Sequence, residues 1–201
     1  MIKLTVTAFA LLFVSLFVSN CAFSEGRIKP NYPNPILNEK IKSKTTLVFR
    51  KSDDSPVSII DGFNREGIRK NSLGMETANM FTDPKGPDFI KNILTLELKN
   101  SGIDVVENSN STNVPQLEVE LIHIFMEPEV GFFAGDIVTI IDADVILKKG
   151  GKVYKRRFKG IGESRTIVWV DHFYEISLKK SLEDFVKKSV PEIIKVLNEE
   201  S

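Results

Sequence analysis

Alternation of apolar and polar positions is clearest in the second half of the chain. Leu117, Val119, Leu121, His123 and Phe125 alternate with Glu118, Glu120, Ile122 and Ile124. This two-residue period predicts a strand of about ten residues, and it places His123 on the apolar face. Residues 137–147 form the next strand, with Ile137, Ile141, Ala143, Val145 and Leu147 on one face. Lys149-Gly150-Gly151-Lys152 then signals a hairpin, because paired glycines supply the positive φ angles of a tight turn. Residues from Val153 to about Thr166 return as its second arm. A two-glycine turn sets Lys149 opposite Lys152, Leu147 opposite Tyr154, Asp144 opposite Arg157 and Ala143 opposite Phe158. The apolar pairs then share one face and the opposite-charge pair lies on the other, as a consistent register requires.

A spacing of three to four residues marks two helices. The first starts at Pro87-Asp88, repeats through Ile90, Ile93, Leu94 and Leu98, and ends before Gly102, a residue suited to a C-terminal cap. The second covers residues 171–198, with a stripe of Tyr174, Leu178, Leu182, Phe185 and Val186 continued by Val190, Ile193, Ile194 and Leu197. Pro191 removes a backbone donor, so a kink or short break is expected near Ser189. In the first half, Thr45-Thr46-Leu47-Val48-Phe49 is a strand and residues 103–107 another, followed by polar loop at 109–113. Residues 52–87 show little periodicity. A structureless loop of that length is unusual in a domain, so short strands are expected around 57–60 and 75–80. This order predicts an α+β fold: an antiparallel sheet with two helices packed on one face, a two-layer sandwich.

Ahead of that domain the pattern changes. Lys3 is followed by an apolar run from Leu4 to Val18, broken only by Thr5, Thr7 and Ser15. About 15 residues is short of the roughly 20 a spanning helix needs, and it suits the core of a secretory signal peptide. Val18-Ser19-Asn20-Cys21 resembles a lipobox, the motif of bacterial lipoproteins, with Asn20 where Gly or Ala is usual. The resemblance implies cleavage after residue 20 and acylation of Cys21. Two or three acyl chains, at about 0.8 kcal/mol per buried methylene, would hold the protein on a membrane. Pro30, Pro33 and Pro35 with scattered Asn and Lys give the next stretch the composition of a linker. About 20 extended residues span up to ~65 Å, enough to hold a domain clear of the bilayer. The expected division is a signal peptide at 1–20, a lipidated N-terminus and flexible linker at 21–43, and a single α+β domain at 44–201.

Two stretches are similar to the YajG-like bacterial lipoprotein family. One runs from Gly67-Ile68-Arg69-Lys70-Asn71 through Gly74 to Ala78. The other runs from Phe89-Ile90-Lys91-Asn92 to the Leu98-Lys99-Asn100-Ser101-Gly102 helix end. Asp53 or Asp54 matches the Asp that the family places after its first strand. Phe89 stands where the family often has Trp, and Gly67-Ile68 replaces its Ile-Gly pair. The resemblance implies an envelope lipoprotein with a domain like the amino-terminal domain of TolB. It implies no catalytic residue.

Composition narrows the chemistry. The 27 basic and 27 acidic residues cancel, which argues against nucleic-acid binding, since that rests on neutralising phosphates. One cysteine and two histidines leave no framework for a disulfide or a Cys/His metal site, and no cofactor is expected. Asp142 and Asp144 share a strand face, but Lys159 and Arg157 across the hairpin make ion pairs their expected role. His123 is expected to be structural. Asp171 beside His172 suits a helix N-terminus. Ser164 has no nucleophile-elbow setting, Gly160-Ile161-Gly162 is too short for a dinucleotide loop, and Lys155, Arg157 and Lys159 form a basic strand face. The loop from Glu127 to Asp136 differs from these. Phe132-Phe133 sits between Gly131 and Gly135 at the tip of an expected hairpin, and exposed aromatics of this kind mark contact surfaces. The reading is therefore a non-enzymatic lipoprotein of the bacterial envelope, most simply on the outer membrane. Cys21 is its lipidation site, and Phe132 and Phe133 are its contact to an envelope protein or glycan. An accessory factor for cell-wall synthesis or export is the first alternative. A glycan or lipid hydrolase using His172, Asp171 and Glu163 is the second.

Overall fold

The computed structural model describes residues 25–42, 45–50, 59–60, 63–107 and 114–199. The signal segment, Cys21, Asp53, Asp54 and the loop at 109–113 lie outside them. In chain order the elements are β1 (Gly26–Ile28), β2 (Thr45–Arg50), β3 (Ile59–Ile60), β4 (Phe63–Asn64), β5 (Gly67–Lys70), β6 (Glu76–Thr82), α1 (Gly86–Asn100), β7 (Ile103–Glu107), β8 (Gln116–Glu129), β9 (Gly135–Lys149), β10 (Lys152–Thr166) and α2 (Asp171–Asn198). β3 and β4 form a small ribbon of their own, and the other eight strands make one sheet.

The hairpin of β9 and β10 has the register its turn dictates. Asp144 lies opposite Arg157, Ala143 opposite Phe158 and Leu147 opposite Tyr154. Gly150 and Gly151 take φ angles of 56° and 76°. β8 runs antiparallel to β9 along its whole length, giving a three-strand meander of long strands. The other edge of β8 is shared. Its first residues pair with β2, which pairs in turn with β7, both in parallel. Near its far end β8 pairs in parallel with β5, which forms a hairpin with β6, and β1 joins β6 in parallel. The sheet is thus mixed and curled, which corrects the expected antiparallel sheet, while the α+β class stands. Strand direction depends on the path of the connection, and the helix between β2 and β7 returns the chain to start again from the same end.

Both helices cover one face. Leu94 and Leu98 of α1 share a core with Leu178, Leu182 and Phe185 of α2 and with Leu117, Leu121, Ile137 and Ile141 of the meander. Helix α2 lies very close to β10. A Cβ on Gly160 would stand 2.7 Å from the Cβ of Phe185, and one on Gly162 2.9 Å from that of Lys180. The Ser181 and Ser177 hydroxyls donate to the carbonyls of Gly160 (3.0 Å) and Gly162 (2.9 Å). The Gly-x-Gly stretch is therefore a seat for a helix. The same helix shields the open edge of β10. Lys188 donates to Lys159 O, Lys180 donates to Glu163 O, and Ile161 N donates to Asp184. Unpaired strand edges invite pairing with another chain, and this edge is covered.

Three expectations change. First, β8 carries a bulge between Leu121 and His123, with Leu121 opposite Ala143 but His123 opposite Asp142. The extra residue reverses the alternation. Leu121, Ile124 and Met126 are buried, whereas His123 and Phe125 move to the outer face. Second, α2 runs unbroken through Pro191. Phe185 and Val186 before it and Ile193, Ile194 and Leu197 after it are buried in the same core, which outweighs one lost backbone bond. Third, the stretch expected to be a linker is docked from residue 26 to 41. Ile28 is buried, and Tyr32, Ile36, Leu37 and Ile41 pack against the core. Glu97, buried on α1, accepts from the Tyr32 hydroxyl and from the backbone N–H groups of Ile36 (2.7 Å) and Leu37 (3.3 Å). Burial and the Glu97 hydrogen bond hold the Tyr32 phenol well above its usual range.

A second buried carboxylate fixes the start of α1. Helix α1 has no side-chain cap of its own. Glu66 supplies one from outside, accepting from Gly86 N (2.9 Å) and from the Thr82 hydroxyl (2.6 Å) and amide. A negative charge at a helix N-terminus is favourable, and the free N–H groups need an acceptor.

Candidate functional site

The outer face of the meander is where the sequence places its charged constellations, and there they neutralise one another. Arg157 clasps Asp142 with two N–H groups, each at 2.7 Å, and Lys159 adds a contact at 3.3 Å. Two cationic arms lie over the Asp142 carboxylate, so it is fully covered although it sits on the outer face. The Arg157 hydrogen bonds hold it below the usual carboxylate range against the opposing effect of burial, with help from Lys159. Lys155 reaches Asp144 at 2.9 Å and Glu120 at 3.1 Å. The partners are diagonal neighbours as well as direct ones, but the expected assignment of basic strand to aspartates holds. His172 is exposed and 4.0 Å from Glu175, Asp171 pairs with Arg69, and Glu163 lies on the outer face of β10. A groove of about 420 Å³ lies elsewhere, between the end of α2 and the β9–β10 hairpin, lined by Val145, Tyr154, Phe158, Ile193 and Val196.

The opposite end of the sheet exposes a set of large apolar side chains. Phe132 and Phe133 are 93% and 88% exposed, with their rings edge to face at 4.6 Å. They project from the loop joining β8 to β9. Gly135 after them leaves room for Trp169, whose ring carbon Cζ2 would lie 3.0 Å from any Cβ there. Gly135 pairs with Thr166, the last residue of β10. The β10–α2 connection therefore emerges beside the phenylalanines, and it exposes Ile167, Val168 and Val170. Because β5 runs parallel to β8, the β5–β6 turn reaches the same end, tied there by ion pairs of Lys70 with Glu127 and Arg69 with Asp171. That turn exposes Leu73 and Met75. Val130 completes the set. Of the large apolar side chains exposed among the described residues, the other two are Val153 and Ile161 on β10.

Sequence reading singled out Phe132 and Phe133 but missed their neighbours on the other two loops. A signal was present in Ile167-Val168-Trp169-Val170, four consecutive apolar residues between a strand and a helix that fit neither period. Leu73 and Met75 flank a glycine in a turn, and nothing local tells where that turn lies in space.

The chain matches no protein-family model, and no curated protein resembles it in sequence. Among solved structures, a DUF330 protein from Xanthomonas campestris is similar with 14% identity and a TM-score of 0.48, over 85% of this chain and 93% of that one. A minor lipoprotein from Acinetobacter baumannii is similar with 7% identity and a TM-score of 0.41, over 74% and 92%. The rare lipoprotein B from Shewanella oneidensis gives 8% identity and a TM-score of 0.40, over 76% and 99%. Likeness at this level transfers no function to this chain. No helix among the described residues is long and apolar enough to cross a membrane.

Proposed function

We propose that this chain is a non-enzymatic lipoprotein of the bacterial envelope, of YajG-like type. It is anchored through acylated Cys21, most simply to the outer membrane, and it makes its contact with another envelope component through the apolar end that carries Phe132 and Phe133. The observation that carries the reading is the convergence of three loops whose exposed large side chains are apolar, at one end of a sheet whose outer face pairs Asp142 and Asp144 with Arg157, Lys159 and Lys155. A monomeric surface rarely exposes a contiguous apolar patch without a use for it. Aromatic residues commonly dominate the energetics of contacts, at about 2 kcal/mol or more each on truncation. The lipobox-like Val18-Ser19-Asn20-Cys21 supports the anchor.

Two measurements test the two halves. A fatty-acid analogue fed to cells should label the full chain and not Cys21→Ala; equal labelling of both would sink the anchor. Phe132→Ser with Phe133→Ser should leave the melting temperature within about 2–3 °C of the parent, because exposed side chains contribute little to the core. The same double variant should lose crosslinks formed in intact cells from a photoreactive residue at position 134. Crosslinks that persist unchanged would show that the contact lies elsewhere.

A further inference from the structure

We infer that the component touched by this apolar end is the lipid surface of the membrane that holds the anchor, so that the domain stands on the bilayer with its three loops dipped into the interface. The inference rests on the anchored reading above and adds an orientation to it.

Strand direction gives the first argument. Gly26 of β1 pairs with Met80 of β6, Met80 with Gly67 of β5, and Gly67 with Met126 of β8. These four residues form one row across the sheet. β8 runs from that row towards the phenylalanine loop. β6 is antiparallel to β5 and runs the other way, and β1 follows β6. Followed backwards from Gly26, the chain therefore heads for the apolar end. Three further residues carry β8 from Met126 to Glu129, about 10 Å at 3.4 Å per residue. Cys21 is five residues ahead of Gly26, a reach of at most about 18 Å. Residues 26–41 are docked on the domain and supply no extra length. The tether, at most about 18 Å, therefore exceeds by less than about 10 Å the distance by which the apolar end projects beyond the point where the chain joins the sheet. A lipid on Cys21 brings that end to the bilayer.

The second argument is the chemistry of the end. Phe132 and Phe133 protrude together from the β8–β9 loop, Ile167 from the β10–α2 connection and Leu73 from the β5–β6 turn. Protruding apolar groups suit a fluid layer that closes around each of them. Trp169, the only tryptophan, lies at the base of this end against Gly135, and tryptophan favours the membrane interface. The basic groups near the end are engaged: Lys70 with Glu127, Arg69 with Asp171, and Arg165 with Asp136 at 3.6 Å. Association with lipid is then driven by apolar burial and not by attraction to anionic headgroups.

Trp169 is a built-in probe. The full chain, expressed with its own signal and purified in lipidated form, is reconstituted in phosphatidylcholine vesicles whose acyl chains are either plain or brominated close to the headgroup. Acylation of Cys21 is read separately from the mass of the N-terminal peptide. Trp169 emission should be blue-shifted on vesicles and quenched by the brominated lipid, with little change between low and high salt. Phe132→Ser with Phe133→Ser, still lipidated, should lose most of the quenching, and Ile167→Ser should weaken it from a different loop. Melting curves of each variant confirm that the fold survives. Lipidated protein whose Trp169 responds equally to plain and brominated vesicles overturns this inference and leaves the anchor standing. So does a double variant quenched as strongly as the parent, or an emission change that appears only when solubilised envelope protein is added, which assigns the end to a protein partner. An unmodified Cys21 overturns the anchor and this inference together.

Discussion

Gly160→Ala is the sharpest test of how α2 is seated. In an unobstructed strand, replacing Gly by Ala stabilises by roughly 0.5–1 kcal/mol, because glycine loses more freedom on folding. Here the sign should reverse. The new Cβ would lie 2.7 Å from the Cβ of Phe185 and 2.9 Å from its backbone nitrogen, and closer still to Ser181 O. Ordinary contact begins near 3.4 Å, so the helix must retreat by about 0.7 Å at Phe185 and further at Ser181. Inserting a methyl group into a packed site typically costs about 1–3 kcal/mol. Retreat also stretches the hydrogen bond from Ser181 Oγ to Gly160 O, now 3.0 Å, a loss of about 1 kcal/mol. The sum is about 2–4 kcal/mol. For a domain of this size each kcal/mol moves the melting temperature by about 2–4 °C, so a fall of roughly 5–15 °C is expected by circular dichroism or calorimetry. Ile161→Ala is the control. Its side chain is 48% exposed on the opposite face, so it should cost less than about 1 kcal/mol. A Gly160→Ala protein that melts with or above the parent would show that α2 does not rest on this strand.

Leu94→Ala and Leu182→Ala remove fully buried side chains from helices that share one core; each should cost about 2–5 kcal/mol in urea denaturation, and an unchanged midpoint in either would place that helix outside the core. Asp142 has a folded-state pKa below its unfolded value through Arg157 and Lys159. Its contribution is therefore present above the unfolded value of about 3.9 and is lost as pH falls through the folded one. Asp142→Asn should shrink the loss of stability between neutral and acid pH; an identical pH profile in parent and variant would refute the clasp. Replacing Lys180, Asp184 and Lys188 together by Ala uncovers the backbone of β10 at 159–163, and concentration-dependent self-association by light scattering should follow. A triple variant as monodisperse as the parent would mean that the edge is protected otherwise.

What the sequence disclosed follows from what its signals can encode. The β9–β10 register was legible because two independent constraints agreed there: the Gly150-Gly151 turn and the apolar alternation of Ile137 to Leu147 against Tyr154 and Phe158. Both helices were legible from their stripes. The β8 bulge was not, because an inserted residue among Ile122, His123 and Ile124 carries no Gly or Pro marker, and three apolar or amphipathic residues in a row fit either face. Parallel pairing was not, because a strand's local pattern is the same whichever way its neighbour runs. Glu66 and Glu97 look like surface carboxylates until the distant groups they bind, Gly86 N and the Tyr32 hydroxyl, are brought to them. Proline-rich composition suggested a linker at 22–42, yet proline also suits an extended segment that docks through its own side chains, as Tyr32 and Ile36 do. Phe132 and Phe133 were recognised because two aromatics in a short glycine-flanked loop have little choice but to project. Their companions were invisible because only the three-dimensional path assembles them.

That assembly depends on β8. Its edge pairs with β2 at Gln116 to Glu118 and with β5 only at Met126, and the bulge lies between these two contacts. A bulge bends its strand and raises the local twist, so the two halves of the neighbouring sheet need not continue one another. The half holding β5, β6 and β1 is thereby free to turn with the far end of β8. It carries the Leu73–Met75 turn to one side of the Phe132 loop while β10 delivers Ile167 and Val168 to the other. The same residue that sends His123 to the outer face keeps Ile124 and Met126 in the core, so the apolar end rests on a packed base and not on a loose extension. β1 pairs in parallel with β6, the outer strand of that half, and so runs away from the exposed apolar residues. The inserted residue in β8 thus joins two features: the division of its neighbouring edge between β2 and β5, and the buried support that Ile124 and Met126 give beneath the aromatic loop.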